Sequence, residues 1–445
     1  MAAKIGFVSL GCAKNKVNTE QMIYLLQQAG YEILPDPDGA DVAVVNTCGF
    51  IDSAKSEAID NILALGELKK AGRLGKILVA GCLSQRYQEE ILREMPEVDG
   101  ILGCGSYFSI VPAVEQALAQ GKPVFMEDID APLPEVPRTL TTPEHYAYLK
   151  IAEGCDNRCS YCVIPFLRGR YRSRAFEDLL EEARGLAAVG VKELIVVAQD
   201  ISRYGLDLYG KRRLPELLRA LCTIEGFHWI RLHYLYPDEI TDELIDVIAS
   251  EPKILKYLDI PIQHVNDEIL RRMNRRGDRA FLEALLTKLR ERIPGLVLRT
   301  SLIAGLPGEG EAEFEELCDF LRRFRLERVG CFAFSPEEGT PAAKMEYPDA
   351  EVAQERAEIV AELQSRIMDA FNESRLGTEL EVLCEGYDPE REQYFGRSYA
   401  ESPDIDGNVW FTSDESVPTG SFVTIRVTGT VDGELIGGVL NDDCQ

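Results

Sequence analysis

The chain alternates short apolar runs with amphipathic stretches from its first residues onward. KIGFVSL precedes the helical pattern TEQMIYLLQQAG, ADVAVVNTC precedes SAKSEAIDNILALGELKKAG, KILVAGC precedes SQRYQEEILREM, and GILGCG precedes YFSIVPAVEQALAQG. Near-continuous apolar strands are buried on both faces, and strands separated by helices pair in parallel. Residues 1–125 are therefore predicted to form an open, doubly wound parallel sheet. A proline-rich stretch over 126–143 cannot pair regularly and reads as a linker. A second series starts at HYAYLKIAEGC and runs through ELIVVAQD, HWIRLHYL, YLDIPIQH, LVLRTSLIAGLPGE and ERVGCFAFS. Six such strands with intervening helices, over 144–375, predict an incomplete (β/α)6 barrel. The pattern from Asp349 to about Arg375 is helical throughout. Beyond it, ELEVLCEGY, NVWFTS and SFVTIRVTGTV are short and separated by turn residues, which predicts a small β-barrel over 376–445. The fold class is α/β.

Composition narrows the class. A chain of 445 residues exceeds one ordinary core. No apolar run reaches the roughly 18 to 20 residues of a membrane span, and the first twenty residues lack a signal-peptide pattern, so a cytoplasmic protein is expected. The net charge of -27 disfavours direct nucleic-acid binding and favours a basic partner. Twelve cysteines against four histidines, in a reducing compartment, point to metal binding or catalysis rather than disulfides.

Two groups of cysteines stand out. Cys155, Cys159 and Cys162 follow C-x-x-x-C-x-x-C after the first barrel strand, where catalytic loops collect. Three thiolates so spaced fit a cubane cluster and leave its fourth iron without a protein ligand. Zinc would want a fourth ligand, and none of His145, His228, His233 and His264 lies in the loop. Cys12, Cys48 and Cys82 each follow a predicted parallel strand, at the carboxyl ends where open α/β sheets gather ligands. They form either a second cluster site or three small residues ending buried strands. Cys104 stands in the same register, as a further ligand or a loop thiol. Cys222, Cys318, Cys331, Cys384 and Cys444 stand alone and are given no role.

The stretches SLGCAKNKVNTE, NTCGFI, GCLSQRY, CDNRCSYCVIPFLRGRYRSR, AQDISRYGLD, DIPIQH, SLIAGLPGE and FSPEEGTPA resemble the radical S-adenosylmethionine (SAM) methylthiotransferases, and the likeness spans essentially the whole chain. The resemblance implies a cluster domain, a radical SAM barrel and a C-terminal TRAM-type β-barrel. It implies one 4Fe-4S cluster on Cys12, Cys48 and Cys82, and another on Cys155, Cys159 and Cys162 whose open iron binds SAM. It also implies an electron donor. SLGCAKNKVNTE and NTCGFI are similar to the branch that methylthiolates the β-carbon of an aspartate in small-subunit ribosomal protein twelve; Asn18 departs from the Asp common there. The alternative is the tRNA adenosine branch, with its GCQMN-like motif, and a non-enzymatic alternative is an iron–sulfur carrier. Residues 376–445 carry a net charge of -12, which favours a basic protein over tRNA.

Further SAM contacts are expected at the barrel mouth. Gln199 and Asp200 end one strand, and Gln263 and His264 end another; each is a candidate contact or a strand-end residue satisfying its own loop. Gly305 and Gly308 either admit the cofactor or simply turn the chain. Arg168, Arg170, Arg172 and Arg174 either fork onto a carboxylate or pair within their loop. The arginines of ILRRMNRRGDR read as an exposed helix face. No GxGxxG fingerprint is present.

Overall fold

The computed structural model describes residues 2–440; Cys444 lies outside them. The first sheet contains β1 (Lys4–Ser9), β2 (Glu32–Leu34), β3 (Val42–Thr47), β4 (Lys76–Gly81), β5 (Gly100–Leu102) and β6 (Val124–Phe125). All its pairings are parallel, in the order β2-β1-β3-β4-β5-β6. Both faces are apolar, as the unbroken strand sequences require. Val42 and Val44 face Met22 and Val114 on one side, while Ala43 and Val45 face Ile62 on the other. The chain leaves β1 towards one edge and returns at β3 on the other side, so the switch point lies between these two strands. Residues 128–142 form no helix or strand.

The central sheet holds six parallel strands, β7 (Tyr146–Lys150), β10 (Glu193–Val197), β11 (Trp229–Leu232), β12 (Ile254–Asp259), β13 (Val297–Ala304) and β14 (Arg328–Ala333). Between β7 and β10 sits a short antiparallel ribbon, β8 (Ala152–Glu153) with β9 (Arg172–Ser173). The order β14-β13-β12-β11-β10-β7 leaves β14 and β7 as unpaired edges, so the barrel is open. Its outer face is one large apolar core under the helices; Leu194, Val196, Leu232 and Leu298 belong to it. The inner face is different. Along it, Tyr146, Tyr148, Ile195 and Val197 pack on Val17 from the helix Ala13–Gln28 of the first domain.

The lower end is closed by the C-terminal barrel, which is fully closed by β15 (Glu379–Asp388), β16 (Gln393–Arg397), β17 (Val409–Thr412), β18 (Phe422–Val431) and β19 (Glu434–Val439). Two of its strands, β16 (QYFGR) and β19 (ELIGGV), were not expected, because interior glycines blunt a strand's apolar alternation. Arg397, at the end of β16, reaches into the larger barrel and donates to Glu193 at 2.7 Å, while Arg231 donates to the other oxygen at 2.6 Å. All three side chains are at least 98% buried. Burial alone would raise the Glu193 carboxyl, but the two guanidiniums outweigh it and hold it at about 2. A second buried set repeats the device: Arg328 and Arg375 both donate to Glu401 at 2.9 Å.

Removing one member of such a set strands the others without counter-charge, which costs about 3–5 kcal/mol. Glu193→Ala is therefore expected to lower unfolding stability by that amount in urea titration, with Glu390→Ala, exposed on the C-terminal barrel, within about 0.5 kcal/mol of the wild type.

Candidate active site

The sheet order puts the three strand-end cysteines of the first domain side by side. Cys12 lies three residues beyond β1, Cys48 directly follows β3, and Cys82 directly follows β4. Glycines make the approach possible. Gly11 has φ +85°, and a Cβ there would lie 3.0 Å from the Cys48 Cβ. Gly81 has φ +92°, and a Cβ there would fall 2.6 Å from the Thr47 carbonyl. Any larger residue would push Cys12 or Cys82 away from Cys48. Cys104 joins from β5: its thiol donates to Cys82 Sγ across 3.7 Å. That contact, outweighing burial and aided by Arg168, lowers the Cys82 thiol below its ordinary pKa. Cys48 goes the other way, pushed up to about 11 by burial and the neighbouring Cys82.

The second triad sits on the loop between β8 and Arg168, and the fold ties this loop from several sides. Cys155 N donates to the Gly169 carbonyl at 3.1 Å. Ser160 N donates to the Met273 carbonyl at 3.0 Å, and its hydroxyl to Arg272 O at 2.9 Å. Cys155 and Cys162 are pushed up, first by burial and then by the surrounding thiols; Cys155 reaches about 12. Arg275 points at the triad: its Nη1 donates to Cys159 Sγ across 3.7 Å and its guanidinium stacks 4.2 Å from the Tyr236 ring centroid. Arg271, Arg272 and Arg276 are exposed as expected, but Arg275, just past the helix end, is buried and has no carboxylate within ion-pairing distance among the described residues.

Between the triads lies Glu153, 6% exposed. One oxygen accepts from Arg168 at 2.9 Å and Gln199 at 3.1 Å, the other from Lys150 at 2.9 Å. Burial alone would raise its carboxyl; Arg168 and Lys150 outweigh that and hold it well below the usual carboxylate range. Both cations also reach into the first domain. Arg168 Nη2 donates to Asn15 and, across 3.5 Å, to Cys82 Sγ, and Lys150 donates to Asn18 at 3.3 Å. The departure at Asn18 thus falls on the domain interface, where an uncharged amide meets the lysine. One buried carboxylate thereby links a barrel strand, the cluster loop and the cysteine end of the first sheet.

The other anticipated residues are placed unevenly. Gln199 borders Glu153, and its Oε1 is buried without a partner. Asp200 is occupied: it accepts from Ser202 and from Asn157 at 2.9 Å, capping one turn and fastening the cluster loop. Gln263 has φ +69°, and its backbone pairs with β13. His264 is fully buried; its Nδ1 accepts from Asn266 N at 3.0 Å, and its Nε2 lies 3.3 Å from Glu309. Gly305 and Gly308 pack closely on Ala353 and Arg272. Of the loop arginines, Arg174 is buried between Glu135 and Glu182, Arg172 donates to the Ala131 and Arg168 carbonyls, and Arg170 is exposed. Cys318 and Cys384 lie in apolar cores, and Cys222 and Cys331 pack on one. Glu153, Lys150 and Arg275 were missed; the EGC preceding the loop was the signal for the first.

Among the described residues no three His, Cys, Asp or Glu side chains close on a single metal ion. Two separated triads of thiols, with Cys104 against one of them and a buried guanidinium beside each, suit anionic polynuclear iron–sulfur groups.

Comparison with known proteins finds a match for each of the three domains. Residues 4–103 match the family described as Uncharacterized protein family UPF0004, residues 149–321 the Radical SAM superfamily, and residues 376–440 the TRAM domain. Ribosomal protein uS12 methylthiotransferase RimO of Acetivibrio thermocellus is 47% identical, with 100% of each chain covered. RimO of Lachnoclostridium phytofermentans is 49% identical over 98% of this chain and 99% of its own.

The chain belongs to the RimO family of radical SAM methylthiotransferases.

Its fold is shared more widely. A radical SAM methyltransferase, TsrM of Kitasatospora setae, superposes with a TM-score of 0.56 at 14% identity, covering 77% of both chains. Membership of the RimO family brings SAM and a 4Fe-4S cluster as cofactors. No helix among the described residues is long and apolar enough to cross a membrane.

The contact between Arg168 and Cys82 has a direct readout. In metal-free protein, alkylation of Cys82 followed by peptide mass analysis is expected to begin at a pH about one unit higher in Arg168→Met than in the wild type, because removing the guanidinium destabilises the thiolate. An unshifted onset would contradict the contact.

Proposed function

We propose that the protein methylthiolates the β-carbon of an aspartate in the small-subunit ribosomal protein uS12, with a second 4Fe-4S cluster presenting the sulfur. Full-length identity of 47–49% to RimO proteins is the observation that carries this reading. Cys155, Cys159 and Cys162 would hold the SAM-binding cluster, and Cys12, Cys48 and Cys82 the other. When bound, these groups supply a hydrogen-abstracting radical and the sulfur, chemistry that acid–base side chains near neutral pH cannot perform on such a C–H bond.

The chain's own residues do the positioning. Glu153, Lys150 and Arg168 fix the two thiol sites relative to each other. Arg275 and Arg168 set positive charge beside each, which favours the deprotonated thiols that metal ligation requires. Gln199 offers a buried carbonyl oxygen at the barrel mouth to a donor on SAM. The helix Ala13–Gln28 packs through Val17 on the inner face of β7 and β10. Glu390, Glu392, Asp414, Glu415 and Asp432 are exposed on the C-terminal barrel, a surface suited to a basic ribosomal protein and not to tRNA. The work takes place in the cytoplasm, and an electron donor is required.

Mass spectrometry of uS12 from a deletion strain is the test: loss of the methylthio mass supports the reading, while loss of modified adenosine from tRNA with uS12 unchanged overturns it. Within the enzyme, Cys159→Ala is expected to abolish 5′-deoxyadenosine formation from SAM, and Cys48→Ala to spare it while blocking sulfur insertion. Normal product accumulation in Cys48→Ala would remove the N-terminal site from the reaction.

A further inference from the structure

Lys14 is the second residue of the helix that follows Cys12, and it is 6% exposed. Its Nζ lies 3.5 Å from the centroid of the Tyr234 ring, just past the end of β11 at the barrel mouth. An ammonium over an aromatic face is attracted by the ring but keeps its charge unneutralised. Among the described residues no carboxylate lies within ion-pairing distance of it; Tyr234, Cys12 and Arg168 are its electrostatic neighbours. Lys16, two residues on, is in the ordinary situation, half-buried and 3.7 Å from Asp404.

The carboxylates of the mouth are already matched. Glu153 has Arg168, Lys150 and Gln199; Asp259 has Arg299 at 2.7 Å; Asp200 has Asn157 and Ser202. A buried cation whose neighbours are a thiol, a phenol ring and a guanidinium, with no carboxylate among them, gains from an arriving anion. Lys14 stands between the Cys12 end of the first domain and the mouth of the barrel, where a reacting side chain would enter.

We propose that Lys14 holds the carboxylate of the target aspartate and is a specificity-determining residue. The inference rests on the uS12 reading above. The β-carbon is bonded directly to that carboxylate, so an ammonium that fixes the oxygens also fixes the reacting carbon. A neutral side chain of the same shape, such as asparagine, forfeits the charged contact, and a charged hydrogen bond lost on binding weakens affinity about 10- to 100-fold.

The test measures binding without turnover. Anaerobically reconstituted full-length protein, with no reductant, is titrated with uS12 carrying its target aspartate and with uS12 in which that residue is asparagine. The wild type is expected to prefer the aspartate form about tenfold or more. Lys14→Met should bind both forms equally and weakly, and Lys14→Arg should keep the preference; iron content should be that of the wild type in both variants. Retention of the wild-type preference by Lys14→Met would overturn the proposal, and so would loss of iron from that variant, which would assign the lysine to a cluster instead. Failure of the wild type to bind or modify either form would overturn the uS12 reading and this inference with it. Normal wild-type modification together with an unchanged aspartate preference in Lys14→Met would overturn the inference alone.

Discussion

The structure depends on one buried carboxylate, Glu153. It belongs to the ribbon strand that leads into the cluster loop, and it is compensated by Arg168 from the far end of that loop and Lys150 from the first barrel strand. Each of those cations spends a remaining donor on the first domain, at Asn15 and Cys82 or at Asn18. A charge pair buried this deeply gains little over apolar packing but is expensive to break. Its effect is on geometry: the two triads of thiols are tied to the same few atoms. A rotation of the first domain on the barrel would have to pull apart buried hydrogen bonds to charged groups.

The same economy appears at the other end of the barrel. Glu193 and Glu401 pin the small C-terminal barrel through Arg231, Arg397, Arg328 and Arg375, none of which faces solvent. The β-barrel is therefore held as a rigid extension of the catalytic domain, and its exposed acids keep a fixed position relative to the mouth.

Much of this was legible in the sequence, for specific reasons. A cysteine directly after a parallel strand is confined to the carboxyl edge of the sheet, so Cys12, Cys48 and Cys82 could be placed on one edge, while strand positions alone left open whether they share a site. Six barrel strands were visible because each is an apolar run bounded by a helix. β16 and β19 were not, since their interior glycines erase the alternation. Partnership between distant charges was also hidden: nothing in FLRGRYRSR tells that Arg168 meets Glu153 while Arg170 meets solvent, and nothing in NRRGDR separates buried Arg275 from exposed Arg276. For Asp200 and His264 the sequence left open a cofactor contact or a strand-end residue satisfying its own loop, and both are engaged within the protein, by Ser202 and Asn157 and by Asn266 and Glu309. Such pairings arise from tertiary proximity and leave no periodic trace.

The central claim is that two sites of three thiols, on either side of one domain interface, each accept an iron–sulfur cluster. Iron and acid-labile sulfide analysis of anaerobically reconstituted wild-type protein tests it most directly. The account predicts about eight irons and about eight sulfides per chain. About four of each, or zinc in place of iron, would contradict it.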